Sequence, residues 1–471
     1  MGNKSLIFDN SKYTCGTVQV GDKTVNYKFY ENVPYVAKPN APHLQVMNLY
    51  VPELENVDSA PIFFLQRTGG MGETLPMTIE TDNTDSIPYA LSQGYVVVSP
   101  GARGRETVVD GIYVGRGELP MSIVDLKAAV RYLRHNKGLV PGDVEKIVES
   151  GLSSGGGMSA LLGVSGNSHN YDKYLREIGA ADERDDIFLC SVSCPITDFE
   201  HIDIAYEWMF GPEKVEGLFA DNADFMAMSG IMAKRFEEYV NSLALHDPDT
   251  GAAISFDGED TYTPYLYQKL CESATQYLSG LSEEERKAWL ADEHNSKVLD
   301  WDGEKAVIRG MKEYAAWNTG RWMRYVGCYD GFDEKPSREN EAFGSVDGKK
   351  AGHFSRSVGE VVASFEQYSE IGSAWIADAK LHERGEYLIN PMNYIGTGEA
   401  CTTAPYWYMR CGGHHETTGN VFLNLVLRLI DYTDSVVDWR FSWMQRHSPI
   451  AEIEKEEAFA FYNKCCKQKE S

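Results

Sequence analysis

Short runs of apolar residues recur along the first two hundred positions and predict a β-sheet covered by helices. Two early runs alternate apolar and polar residues, which indicates an antiparallel start at Val25–Tyr30 and Leu44–Val51. From Ala60 onward, continuous apolar runs alternate with stretches of helical spacing, as is typical of a parallel sheet buried on both faces. The predicted strands are Ile62–Leu65, Tyr95–Ser99, Lys146–Ser150 and Asp186–Ser193, and the predicted helices lie near 87–92, 123–136 and Gly155–Leu162.

This alternation stops after the strand that ends at Ser193 and resumes about two hundred residues later. The intervening stretch is rich in Tyr, Trp, Met and charged residues and contains helical segments such as Ser282–Leu290. The rhythm then returns with strands at Tyr406–Arg410 and Val436–Trp443 around a helix near 421–431. We therefore predict an α/β domain built from residues 1–198 and 396–471, with an inserted lid or substrate domain at 199–395.

A Gly-x-Ser-x-Gly motif at Gly151–Gly155 lies between a predicted strand and a predicted helix. In that setting it is typical of the nucleophile elbow of α/β-hydrolases, because the glycines allow a sharp turn that exposes the serine hydroxyl. The alternative is a glycine-rich surface turn without chemistry. The context favours Ser153 as a nucleophile and an α/β-hydrolase fold, with a mostly parallel central sheet flanked by helices.

A serine nucleophile needs a base and an acid, which follow it in this fold in the order acid, then histidine. His447 follows the last predicted strand by a few residues and is the predicted base; otherwise it is an exposed loop histidine. The acid is expected just after the preceding strand, where Glu416 is the carboxylate. Glu416 could instead be a first-turn helix residue that the helix dipole favours. The adjacent His414, His415 and Glu416 resemble metal ligands only superficially, and we predict no metal site.

The oxyanion hole is expected to combine the N–H of Ser154 with a donor from the turn after the first parallel strand. Gly69 and Gly70 lie in that turn and would let the backbone approach a substrate oxygen, although a tight turn alone could explain them. Arg103 and Arg105 follow the next strand. They could face the site or, as we expect, pair with some of the many carboxylates.

The charge balance and the cysteine content of the chain indicate which partners and which cellular compartment to expect. The chain has 44 Lys and Arg against 70 Asp and Glu, a net charge of -26, so nucleic acid and anionic membranes are not expected partners. No apolar run reaches transmembrane length, the N-terminus lacks the apolar core of a secretory signal, and the nine cysteines are scattered. We predict a cytoplasmic protein with reduced cysteines, a small-molecule ester as partner and no cofactor, and we leave the oligomeric state open.

Several segments spread along the chain resemble the bacterial tannase family (subtype B), α/β-hydrolase esterases that split galloyl esters. The segments that carry the resemblance are Tyr30–Ala37, Gly69–Met71, Ser154–Gly156, Cys194–Asp198, Ala205–Trp208 and Asn390–Ile395. The Cys194–Asp198 and Asn390–Ile395 segments are more specific than the elbow, which many hydrolases share. The resemblance implies that Ser153 is the nucleophile, that His447 is the base, and that the insertion covers the substrate.

The chain departs from the family pattern in the acid loop. The family has Arg-His-Gly-Thr-x-Asp-x-Asp there, with one Asp completing the triad and the other contacting galloyl hydroxyls, whereas His415 and Thr417 occupy those positions here. We therefore predict a tannase-like serine carboxylesterase that acts on a small or aromatic-acid ester without specificity for gallates, with His415 and Thr417 at the substrate. The alternatives are a binding protein with impaired catalysis on a hydrolase scaffold, or an acyltransferase or peptidase that uses the same serine.

Overall fold

A nine-stranded sheet forms the centre of the fold in the computed structural model of this chain. The structure describes residues 6–105, 107–109, 112–113, 121–211, 222–318, 355–414 and 419–468. The strands are β1 (Thr14–Val20), β2 (Lys23–Pro34), β3 (Val46–Pro52), β4 (Pro61–Leu65), β5 (Val96–Pro100), β6 (Asp143–Leu152), β7 (Leu189–Ser193), β8 (Tyr406–Gly412) and β9 (Val436–Ser442). They lie in the order β1-β2-β3-β5-β4-β6-β7-β8-β9.

Pairing is antiparallel between β1 and β2, between β2 and β3, and between β3 and β5. Pairing is parallel between all later neighbours in the sheet, from β5 and β4 to β8 and β9. Strands β5 and β7 are buried at every residue, which explains their continuous apolar sequences. The predicted α/β-hydrolase fold and its antiparallel start are confirmed. Because parallel strands share one carboxyl edge, the loops after β4, β6, β7, β8 and β9 all meet at that edge.

Helices cover both faces of the sheet and also make up much of the described part of the stretch between β7 and β8. They are α1 (Ser86–Ser92), α2 (Met121–His135), α3 (Ser154–Val164), α4 (Asp172–Glu177), α5 (Ile202–Phe210), α6 (Ala223–Leu243), α7 (Tyr262–Ser279), α8 (Glu283–Ala291), α9 (Met311–Asn318), α10 (Arg356–Ala363), α11 (Ser369–Ile389), α12 (Gly419–Tyr432), α13 (Ile450–Ile453) and α14 (Lys455–Gln468). Three short hairpins, at 108–113, 245–254 and 299–308, lie outside the main sheet. Among the described residues, no helix combines the length and the apolar character needed to cross a membrane.

The predicted elements of the hydrolase core agree closely with the observed ones. The predicted strand from Asp186 begins at Leu189 instead, and the preceding Asp185 is a buried carboxylate that accepts hydrogen bonds from Lys127 at 2.9 Å and Arg131 at 2.7 Å. Strand β1 was not predicted, because this edge strand is largely exposed and its apolar pattern is weak. Helix α14 was not predicted either, although it packs Phe459 and Tyr462 against the sheet.

Candidate active site

Ser153 lies at the sharp turn where β6 ends and α3 begins. Its φ of 65° and ψ of −130° lie outside the regions that a serine ordinarily occupies. Its N–H donates to the Ser193 carbonyl at 3.1 Å, and its own carbonyl accepts from the N–H groups of Gly157 and Ile196, both at 2.9 Å. Three backbone hydrogen bonds therefore hold the strained turn, and the Ser153 residue remains partly exposed.

Two glycines, Gly151 of the elbow and Gly157 in the first turn of α3, lie where a side chain would collide with neighbouring segments. A Cβ at Gly151 would be 2.1 Å from the Gln66 side-chain nitrogen, and a Cβ at Gly157 would be 2.1 Å from the Ile196 carbonyl oxygen. The glycine before Ser153 is thus needed for close approach to the end of β4. The second glycine allows α3 to pack against the segment that follows β7.

The strain at Ser153 predicts an effect on stability that is separate from catalysis. Both Ser153→Gly and Ser153→Ala remove the hydroxyl, but only glycine adopts a positive φ without steric cost. We expect the glycine variant to be more stable than the alanine variant by about 1 kcal/mol, the strain relieved less the entropic cost of glycine. Urea unfolding of the two variants measures the difference, and equal midpoints would contradict a strained elbow.

The turn after β4 lies directly against the first residue of α3. Gly70 and Met71 have positive φ angles of 61° and 57°. The Ser154 hydroxyl accepts a hydrogen bond from the Met71 N–H at 2.9 Å and donates one to the Thr68 carbonyl at 2.5 Å. The structure thus brings the predicted oxyanion residues Ser154, Gly69 and Gly70 together beside Ser153.

The hydrogen bonds of this turn distinguish the two predicted glycines. The Gly69 N–H donates to the Arg67 carbonyl at 2.8 Å and so has an acceptor within the turn. Within the described residues, the N–H groups of Gly70 and Ser154 have no protein acceptor. Two backbone donors next to the Ser153 hydroxyl are what a developing oxyanion requires.

The two arginines after β5 have different roles. Arg103 is buried and forms a two-pronged ion pair with Asp125, at 2.7 and 2.9 Å, as expected for arginines that pair with carboxylates. Arg105, in contrast, donates to the Gly70 carbonyl at 2.8 Å, and its N–H donates to the Met71 carbonyl at 2.8 Å. Arg105 therefore supports the turn next to Ser153.

The segment after β7 connects the surroundings of Ser153 and His447. Ser193 and Ile196 bind the Ser153 backbone, while the Cys194 thiol lies 3.6 Å from the Arg446 carbonyl oxygen. Cys194 itself has a φ of 43°, a second strained position at this edge. His447, one residue beyond Arg446, is exposed. The segment after β7 thus contacts both the elbow, which carries the predicted nucleophile, and the loop that carries the predicted base.

The loop after β8 begins with a packed, neutral histidine. The His414 ring stacks on Trp317 with centroids 4.0 Å apart, and Trp317 stacks on Trp443 at 4.7 Å. Burial, reinforced by the nearby Arg446 charge, lowers the pKa of His414 to about 4. His415, Glu416 and Thr417, the predicted acid and the predicted substrate-binding residues, lie outside the described residues.

A polar cluster formed by Asp198, Glu200 and His201 follows β7. One carboxylate oxygen or ring nitrogen of each residue lies within 4.8 Å of those of the other two. Asp198 accepts hydrogen bonds from Tyr239 of α6 at 2.6 Å, from His201 at 2.8 Å and from Asn390 at 2.9 Å. Burial opposes ionisation, but these partners hold the pKa of Asp198 below its ordinary value, and the Asp198 charge raises the pKa of His201 against the effect of burial. The sequence patterns did not predict this cluster, which joins the core to α6 and to the end of α11.

One family model and several solved structures are similar to this chain. A family model described as BD-FAE matches residues 47–216, which include the elbow. The sequence matches none of the curated proteins with which it was compared.

Solved structures similar to this chain cover nearly its whole length. A tannase from Fusobacterium nucleatum is 31% identical and has a TM-score of 0.82, with 98% of this chain and 100% of that chain covered. The native tannin acyl hydrolase from Lactobacillus plantarum is 30% identical with a TM-score of 0.80, covering 98% and 99% of the two chains. A tannin acyl hydrolase in complex with ethyl gallate is 28% identical, with the same TM-score of 0.80 and the same coverage of 98% and 99%.

Proposed function

Because this chain belongs to the tannase family, a family of ester-splitting hydrolases, we propose that it is a serine carboxylesterase that forms an acyl-enzyme on Ser153. The observation that carries the proposal is the conformation of Ser153. A serine held at positive φ between a parallel strand and a helix, beside two backbone donors, has the geometry of a nucleophile elbow. The subtype within the family remains a prediction.

In the proposed reaction the Ser153 hydroxyl oxygen attacks the ester carbonyl carbon while His447 accepts the hydroxyl proton. The carbonyl oxygen then carries negative charge and accepts hydrogen bonds from the N–H groups of Gly70 and Ser154. His447 returns the proton to the leaving alcohol as the carbon–oxygen bond breaks. Water, activated by His447, hydrolyses the acyl-enzyme, and Glu416 is proposed to orient the imidazole throughout.

We propose that the acid part of the substrate is small or aromatic and that a gallate is not preferred. One solved relative is described as a complex with ethyl gallate, which supports an aromatic acyl group in the family. The resemblance places His415 and Thr417 where the family has carboxylates, so strong acceptors for galloyl hydroxyls are missing from those positions. Residues 199–395 are proposed to cover the substrate.

Labelling and an ester panel test this function together. A fluorophosphonate probe is expected to modify Ser153 of the native protein, located by peptide mass spectrometry, and to leave heat-denatured protein unmodified. In the panel, benzoyl and hydroxycinnamoyl esters are expected to exceed the matching galloyl ester in kcat/KM by about tenfold, since a galloyl hydroxyl buried without an acceptor costs roughly that factor.

The remaining outcomes discriminate the other classes of protein. Absence of labelling together with tight binding of an ester would support a binding protein on a hydrolase scaffold. Transfer of the acyl group to added alcohols or amines in preference to water would support an acyltransferase, and release of a peptide fragment would support a peptidase.

We extend the proposal to a reducing, cytoplasmic location, supported by the free state of the cysteines in the described residues.

A further inference from the structure

Gln66 is the first residue after β4, and its side chain is completely buried next to the elbow. Its amide nitrogen donates to the Gly155 carbonyl at 2.6 Å and to the Ser159 hydroxyl at 3.2 Å, both in α3. Its amide oxygen accepts from the N–H of Thr68 at 3.0 Å and from the Thr68 hydroxyl at 2.8 Å. One side chain thus bonds the helix after Ser153 to the turn that carries Gly70.

The Ser154 hydroxyl makes a second link between the same two segments, through the Thr68 carbonyl and the Met71 N–H. With both links in place, the N–H, carbonyl and hydroxyl of Thr68 are all bonded to Gln66 or to Ser154. Thr68 is fully buried, so water cannot replace these bonds without opening the turn.

The Ser159 hydroxyl, to which Gln66 donates, also contacts a buried carboxyl group. Glu149 of β6 is fully buried, and its Oε1 accepts from the Ser159 hydroxyl at 2.6 Å. Burial raises the pKa of Glu149 to about 8, although the hydrogen bond from Ser159 opposes the rise. The Cys190 thiol donates to the Ser159 carbonyl at 3.1 Å. Through the Ser159 hydroxyl, Gln66 is therefore linked to Glu149, whose second oxygen, Oε2, has no hydrogen-bond partner among the described residues.

We infer that Gln66 is a positioning residue for ester hydrolysis, whose side-chain amide fixes the Thr68–Met71 turn to the nucleophile elbow so that the Gly70 and Ser154 N–H groups point at one oxygen. This inference rests on the proposed function. Oxyanion donors stabilise the transition state only if they are held in place before the charge develops. Loosening the turn should therefore lower kcat and leave the binding of the uncharged ester, and so KM, nearly unchanged.

Gln66→Met tests the inference, because methionine keeps the length of the side chain and removes both halves of the amide. Gln45→Met is the matched control. Gln45 is equally buried, and its amide oxygen accepts from Asn40 and Ala41 N–H groups at 2.9 and 3.0 Å while its nitrogen donates to Asp125 at 2.9 Å. We expect Gln66→Met to lower kcat about 10- to 100-fold and to keep KM within about threefold of the wild-type value. Gln45→Met should lose a similar amount of thermal stability but keep kcat within about twofold of the wild-type value. Equal kcat in the two variants, or a change confined to KM, would overturn the inference.

Thr68→Val supplies a second test in case Gln66→Met does not fold, since it removes one hydroxyl and keeps the shape of the side chain. It is expected to lower kcat about three- to tenfold at constant KM. Fluorophosphonate labelling rates separate the two levels of the proposal. If wild type is not labelled, the serine mechanism fails and the role of Gln66 fails with it; if wild type is labelled and both variants react at its rate, only the role of Gln66 fails.

Discussion

Replacement of Ser153 by alanine is expected to lower the turnover of short nitrophenyl esters about a million-fold, the loss typical of removing a serine nucleophile. The physical reason is that the covalent route needs the Ser153 hydroxyl at the elbow, and the methyl group of alanine cannot attack the ester carbonyl. The alanine variant keeps the Cβ and the three backbone bonds of Ser153, and its far-ultraviolet circular dichroism should match that of wild type. Ser448→Ala, which changes the serine after His447, serves as the control and should retain turnover.

The same experiment extends to the predicted base. Nucleophile and base act as one unit, so His447→Gln and the double variant Ser153→Ala/His447→Gln should fall to about the same residual rate as Ser153→Ala alone. Multiplicative losses in the double variant would mean that the two residues act independently. Retained turnover in Ser153→Ala would remove Ser153 from the mechanism.

Glu416→Gln is expected to lower kcat about ten-thousand-fold with little change in thermal stability. An amide in place of the carboxylate cannot stabilise the imidazolium that forms on His447 and favours the wrong tautomer of the ring, and in serine triads this costs about that factor. Glu416→Asp, which retains the carboxylate on a shorter side chain, is the matched control and should recover a large part of the rate. A wild-type rate in Glu416→Gln would mean that another group orients His447.

Sequence reasoning predicted the hydrolase core well because buried parallel strands and amphipathic helices leave strong apolar patterns. Strands β4 to β7 and helices α2 and α3 all follow from continuous apolar runs and helical spacing. The elbow was predictable for a related reason. A strand, a turn rich in glycine and a helix occur in immediate succession, so the conformation of Ser153 follows from local sequence.

The supporting residues of the site could not be predicted in the same way, because their contacts join segments far apart in the chain. Gln66 and Gly155 are separated by 89 positions, and Asp198 and Asn390 by 192. One signal was available in the sequence: Gln66 is a polar residue that directly follows a fully apolar strand at the carboxyl edge. Arg105 gave no such signal, since its neighbour Arg103 has a similar setting and pairs with Asp125 instead.

The cluster around Asp198 limits how the region 199–395 of this chain could be exchanged for that of a relative. Asp198 lies just before the proposed insertion, but two of its hydrogen-bond donors, Tyr239 and Asn390, lie within it, in the region 199–395. A chimaera that received this region from a relative without equivalents of both donors would leave a buried carboxylate short of partners, at a cost of about 1 to 3 kcal/mol for each lost donor. Exchange of residues 199–395 therefore requires the graft to carry both donors, whereas breakpoints before Cys194 and after Tyr394 would transfer Asp198 together with them.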